Sequence, residues 1–372
     1  MGSEVFALNV VECNPYLPQP FVFTEVAVCL RDAIRRYGLR SEHLVNRIDP
    51  NAHSIILCGT QAAAHSLEHL DPARCAIFNL EQLGSGSRLA GPDYVQWLAD
   101  WKVVDYHSRN VEYLRRANGP GQQVWELPIV PSASLRSENK EHPSVDVLFY
   151  GTPNDRRASV LRELESMGLN VETVAGAYGL ELAPAVRRAR LVLHIHFYDT
   201  GLFPVARMLQ PAAMGVPVVC ETAVMSPLSD WSTSGVVFAD HDQLARTCRQ
   251  LLEDPERMRQ CAANVQRFCE RLNFATPLAG LLAAFQADPG SAQASAPRHL
   301  REVDAPPSTL DREIEEELLR EGAQPPPADE TVPPLVLGQH EPGRGVAGKW
   351  LAWTLAAFML LGSLRWWFEG RG

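Results

Sequence analysis

Two Rossmann-like α/β domains in series, facing each other across a cleft, are the fold class this sequence predicts, followed by a disordered linker and a C-terminal hydrophobic helix. Three observations carry it. Short β-type apolar runs alternate with amphipathic helical stretches twice over, the pattern of parallel βαβ units. A break rich in Pro, Ser and charge, PSASLRSENKEHP at 131–143, separates the two series. The 372 residues leave room for two domains of ~100 to 200 residues each and a tail.

The first domain, 1–130, reads as the strands VFALNVV, HSIILCG, CAIFNL, KVVDYHS and QQVWELPIV, with helices predicted over 22–37, 61–70, 93–100 and 109–117. The second, 144–287, opens with the strand VDVLFYG and a helix over 156–167. It continues through the strand LNVETVAG, the helix ELAPAVRRA, the strand LVLHIHF, a helix over 205–214, the strands VPVVCE and GVVFAD, and helices to about 285. Open parallel sheets bind ligands at the carboxyl ends of their strands, so two such domains imply a shared cleft.

Residues 288–345 are rich in Pro, Ala, Ser, Gly and acidic residues and read as a disordered linker, because they cannot bury enough apolar surface to offset their ordering entropy. Inside it Ser308 or Thr309 caps a short stretch in which Leu310, Ile314 and Leu318 recur every four residues. That island is either a transient solvated helix or a docking helix for a protein partner. At 346–368 lies a membrane-anchoring segment, whose run WLAWTLAAFMLLGSL is uncharged between Lys349 and Arg365 and is followed by Trp366, Trp367 and Phe368. It is short for a span of ~20 residues, so a single span with snorkelling ends, an in-plane interfacial helix and core packing all stay open.

Composition narrows the function classes. A formal net charge of -10 argues against nucleic-acid binding, which needs a basic stripe. The eight cysteines form no CxxC pair and sit in apolar runs, so they read as reduced core residues, and no metal site is expected. The start, MGSEVFALNV, lacks a basic region ahead of an apolar core, so the expected location is the cytoplasmic side of a membrane.

The chemistry-bearing residues cluster in the second domain. In VDVLFYGTPNDRR, Gly151 follows a strand end, and Asn154, Arg156 and Arg157 stand where a helix begins. Helix-start amides plus a guanidinium make a diphosphate site; the alternative is a routine βα turn with solvent arginines. In LVLHIHFYDTGLFPVARMLQPAAMGVPVVCE, alternation places His194, His196 and Tyr198 on one face of a strand. Asp199 or Thr200 then caps a helix entered through Gly201 and Pro204, carrying Arg207 and Gln210 one turn apart. Gly215 closes that helix, and the next strand returns Glu221 to the same edge. Helix amides and Arg207 suit phosphate, and Glu221 or Gln210 suits hydroxyls. In the first domain Glu81, after CAIFNL, and His107, after VVDY, are the candidate general bases for an acceptor hydroxyl.

The run AGAYGLELAPAVRRARLVLHIHFYDTGLFPVARMLQPAAMGVPVVCE resembles the nucleotide-sugar-binding half of the GT-B glycosyltransferase superfamily, in its CgeB-like, group 1 glycosyltransferase-like members. The likeness is clear over 145–285, and the first domain agrees mainly in its alternation and in NLEQL and VDYHSRNVEYL. It implies a transferase that takes a nucleotide-diphosphate sugar as donor substrate, without cofactor or metal, and passes the sugar to an acceptor that the tail suggests is lipid-linked or surface-bound. The sequence departs from the family where many retaining members carry two glutamates, since Leu202 and Gln210 stand at those positions. A degenerate, non-catalytic scaffold recruiting partners at a membrane is therefore the second reading. A nucleotide-sugar epimerase is a third, without a distinctive carboxylate set.

Overall fold

The protein is described here by a computed structural model covering residues 6–13, 23–57, 70–84, 90–136, 143–151, 154–197, 201–287 and 301–302. The first sheet is built from β1 (Leu8–Glu12), β2 (His43–Val45), β4 (His53–Leu57), β5 (Cys75–Asn79), β6 (Lys102–Asp105) and β7 (Val124–Glu126), with β3 (Arg47–Ile48) outside it. Its order is β2-β1-β4-β5-β6-β7, and every pairing is parallel. Helices α1 (Thr24–Arg36), α2 (Pro92–Trp97) and α3 (Ser108–Asn118) belong to this half. The strands β1, β4 and β5 are buried at every residue, as expected for a parallel sheet covered on both faces.

The second sheet holds β8 (Val145–Tyr150), β9 (Val171–Val174), β10 (Ala189–His194), β11 (Val218–Glu221) and β12 (Val237–Ala239) in the order β12-β11-β10-β8-β9, again all parallel. Helices α4 (Asp155–Ser166), α5 (Ala183–Arg188), α6 (Val205–Met214), α7 (Leu244–Leu252) and α8 (Pro255–Arg271) connect and cover it. The strand order reverses between β8 and β10, so the chain leaves those two neighbours toward opposite sides and opens a crevice at their carboxyl ends. Gly151 and His196 lie there.

Helix α9 (Ala275–Ala287) crosses back to the first sheet. Its fully buried Phe285 packs against His53 at 4.7 Å between ring centroids and under the Lys102 ammonium. Gly280 lies against Trp125 of β7, where a Cβ would come within 3.2 Å of the indole. One hydrophobic cluster runs from Leu8 and Leu30 through Leu148 and Leu209 to Leu281, joining the two halves.

The structure refines the expected elements. The strand read as LVLHIHF stops at His194, and β2 and β3 were not expected. Residues 301–302 form β13 (Arg301–Glu302), antiparallel to β3, which corrects the disordered-linker expectation at that point. The rest of that linker, the Leu310, Ile314 and Leu318 island, the tail at 346–368 and nearly all of the helix expected over 61–70 lie outside the described residues. Among the described residues no helix is long and apolar enough to cross a membrane.

Candidate functional site

Two guanidinium groups converge on the glycine that ends β8. Gly151 has φ +139, a conformation that favours glycine, and a Cβ there would sit 3.5 Å from both Arg157 Nη1 and Arg207 Nη1. Arg157 is 2% exposed, held by the Ile195 carbonyl at 3.1 Å from Nε and 2.9 Å from Nη2, and lies over the Phe149 and Phe197 rings. Asn154 caps α4 by accepting the Arg157 N–H at 2.9 Å.

Arg207 is positioned by a defect in its own helix. Pro211 lies inside α6 and has no N–H, so the Arg207 carbonyl four residues earlier has no intrahelical donor. The Tyr150 hydroxyl donates to that carbonyl instead. In return Arg207 Nη1 donates to the Tyr150 carbonyl at 3.1 Å, and the guanidinium lies over the Tyr150 ring at 5.4 Å. This two-way clasp between β8 and α6 leaves Arg207 half-buried beside the backbone at Gly151, with no carboxylate among the described residues in hydrogen-bond contact. A cation at a parallel-sheet switch point is suited to an anionic ligand.

Arg156 and Glu221, expected to face phosphate and hydroxyl, bond to each other. Arg156 Nη1 donates to Glu221 Oε2 at 2.7 Å, Nη2 donates to Oε1, and Nη1 also reaches the His196 carbonyl at 3.1 Å. Glu221 Oε2 accepts the His196 N–H at 2.9 Å. Burial pushes the Glu221 carboxyl up, but the Arg156 hydrogen bonds and the His196 N–H outweigh it and hold the group below the ordinary range. This bidentate pair ties α4, β11 and the end of β10 together.

His194 and His196 meet edge to face at 5.3 Å although only His194 is in the strand. Burial lowers the pKa of both, so they stand as neutral imidazoles at neutral pH. His196 Nε2 is buried without a hydrogen-bond partner among the described residues, and Gly201 abuts its ring so closely that a Cβ would come within 2.2 Å of Nδ1. Tyr198 lies outside the described residues. Gln210 is bound within the fold: its Nε2 donates to the Gly179 carbonyl, 3.5 Å from Glu25 Oε1, and its Oε1 is buried without a partner among the described residues. Glu25, from α1 of the first domain, accepts the Gly179 N–H at 2.6 Å, and burial raises its pKa to about 7. The place filled by Gln210, expected to meet sugar hydroxyls, is thus part of the domain contact.

Across the cleft, the backbone of Glu81 is fixed by an Asn–Asp–Asn network. Asp105 accepts from Asn79 Nδ2 at 2.6 Å and Asn110 Nδ2 at 3.1 Å, and both amides also donate to the Glu81 carbonyl, at 3.0 and 2.8 Å. The Tyr94 hydroxyl donates to Asn79 Oδ1 at 3.0 Å. Among the described residues no group hydrogen-bonds the Glu81 carboxyl, which is 8% exposed, and burial raises its pKa to about 8. The next residue, Gln82, accepts the Leu202 N–H at 3.3 Å, so this segment faces the approach to α6.

His107, expected as a base, bridges the two domains. Its Nδ1 accepts the Arg109 N–H at 3.2 Å, capping α3, which leaves Nε2 to donate to the Val224 carbonyl at 2.9 Å in the other domain. Both ring nitrogens are occupied. Sequence reasoning missed Asp105, Asn79, Asn110 and Glu25; a carboxylate inside the apolar run KVVDY and another on the buried face of α1 were the available signals.

Residues 133–276 match a family model described as glycosyl transferase-like. A curated relative, uncharacterized protein L138 of Acanthamoeba polyphaga mimivirus, is 24% identical over 242 residues, covering 62% of this chain and 26% of its own length. The chain thus spans about a quarter of that relative. Among solved structures, Anabaena Alr3699/HepE in complex with UDP and glucose is similar at TM-score 0.48 and 12% identity, over 75% of this chain and 100% of that one. AviGT4, a glycosyltransferase involved in avilamycin A biosynthesis, gives 0.47 and 15%, over 77% and 99%. Sucrose-phosphate synthase from Thermosynechococcus elongatus gives 0.46 and 11%, over 75% and 97%.

Proposed function

We propose that the protein is a GT-B-type glycosyltransferase that moves a sugar from a nucleotide-diphosphate donor, held by the second domain, to a hydroxyl of an acceptor presented by the first. The observation that carries this reading is the Arg207 guanidinium, clasped beside the Gly151 backbone at the switch point of the second sheet. As the anomeric C–O bond to the diphosphate breaks, charge builds on the leaving phosphate, and Arg207 with the α4 amides offsets it without a metal. The acceptor oxygen forms the new bond to the same carbon and gives its proton to Glu81, once that carboxyl is ionised. His194, His196 and the Arg156–Glu221 pair shape the sugar side of the cleft as neutral or self-compensated groups.

The tail at 346–368 is proposed to hold the enzyme on the cytoplasmic side of a membrane, near a lipid-linked or surface-bound acceptor, with the Leu310, Ile314 and Leu318 island as a contact for a protein partner. Leu202 and the sealed Gln210 favour the second reading, a scaffold that binds the nucleotide sugar without turning it over. Nucleoside diphosphate release from a panel of nucleotide sugars, measured on the full chain, separates the two. Turnover that falls about a hundredfold or more in Glu81→Gln, with nucleotide affinity kept, is the enzyme's signature. Binding without release in the unmodified chain is the scaffold's.

A further inference from the structure

The amino-terminal edge of the second sheet carries a separate cleft of about 720 Å³, formed where β10 and β11 begin and where α8 runs past them. It lies at the opposite ends of the strands from Gly151, His196 and Glu221, so the donor site does not account for it. The chain has 44 acidic against 34 basic residues, yet among the described residues no acid lines this cleft and three arginines do: Arg187, Arg190 and Arg259. Two of them are compensated from outside the cleft, Arg190 by Asp146 at 2.7 Å and Arg259 by Glu256.

Arg187 has no ion-pair partner among the described residues. Its Nε and Nη1 atoms are buried and have no hydrogen-bond partner among the described residues, an arrangement that costs a folded protein stability unless an acceptor or counter-charge arrives. The remaining wall is largely apolar, with Met214, Pro217 and Met258 beside the arginines.

We propose that this cleft is a second ligand site, for a phosphate monoester that carries an apolar body. The phosphate would lie against the arginine face, with Arg187 as the main cation, and the apolar body against the methionines. A planar guanidinium suits a phosphate, and a described lining without acids lessens the repulsion that the net charge of the chain would otherwise impose. The proposal is independent of the glycosyltransferase reading.

Calorimetric titration of the full chain with butyl phosphate and, separately, with glycerol phosphate tests it. Butyl phosphate is expected to bind with a Kd below ~1 mM, and glycerol phosphate about tenfold more weakly for want of the apolar contact. Arg187→Ala should weaken butyl phosphate about tenfold or more while leaving nucleoside diphosphate affinity unchanged. Ala262→Glu, which brings an acid to the half-buried α8 wall, should abolish binding and covers the case in which Arg187→Ala fails to fold. Absence of butyl phosphate binding, or binding unchanged in both variants, overturns the site. Equal affinity for the two esters overturns its apolar half.

Discussion

At the scale of single residues the sharpest consequence is at Glu81, whose carboxyl keeps its proton up to about pH 8 because burial penalises the charge. The unfolded chain releases that proton in the ordinary carboxylate range of ~4.3, so between there and about 8 the folded state binds more protons than the unfolded one. The resulting stability is full below the ordinary value and is lost as pH rises through the folded value. Glu25, raised to about 7, acts in the same direction over a narrower window. Above about pH 7, where histidines lowered by burial are neutral in both states, the melting temperature should therefore fall as pH rises to about 9, and Glu81→Gln should flatten part of that fall. Transfer activity should move the other way, rising through about pH 8 as the base ionises; a pH-independent rate would remove Glu81 from the chemistry. That Glu81 stands just beyond a buried strand was legible in the apolar run CAIFNL. The Arg156–Glu221 pair was not, since two charges 65 positions apart give no sign of bonding until the α4 start and the β11 end are placed side by side.

Among elements, α6 was the easiest to read, and the expected range of 205–214 matches Val205–Met214. Gly215, in the left-handed conformation, stops it as a C-terminal glycine should. Less legible were β2 and β3, three and two residues long, which are too short to show a period. The apolar run through Phe197 hid the end of β10 at His194. Pro211 was visible inside the predicted helix, but its consequence, a carbonyl satisfied by Tyr150, appears only when β8 is packed beside α6. Tyr150→Phe should cost about 1–3 kcal/mol by orphaning the Arg207 carbonyl. Pro211→Ala supplies the missing N–H, so in that background the same Phe substitution should cost less than half as much. Additive melting data from this double-mutant cycle would show that the clasp contributes nothing.

For the whole molecule, the two-domain order and the cleft followed from the repeated alternation. The return of α9 to the first sheet did not, because its low amphipathicity gives no sign of which domain it covers. Leu278, Leu281 and Phe285 are essentially fully buried there, each worth about 1.5–3 kcal/mol. A chain truncated after Asp288 keeps them and should unfold in one cooperative transition; a chain truncated after Leu272 loses α9 and should be markedly less stable. Replacing residues 349–368 by a polar linker should shift the full chain from membrane to soluble fractions, and an unmodified chain already soluble without detergent would contradict the anchor.

The central claim is that the second domain binds a nucleoside diphosphate through Arg207, and affinity measured on one set of variants tests it most directly. Titration with uridine, guanosine and adenosine diphosphates should find at least one that binds the unmodified chain. That ligand should bind Arg207→Ala about tenfold to a hundredfold more weakly, the factor implied by a charge-assisted hydrogen bond of about 1.5–3 kcal/mol. Arg207→Lys should recover part of the loss, because the ammonium keeps the charge without the planar fork. No binding by any of the three, or equal affinity in the unmodified chain and Arg207→Ala, would contradict the account.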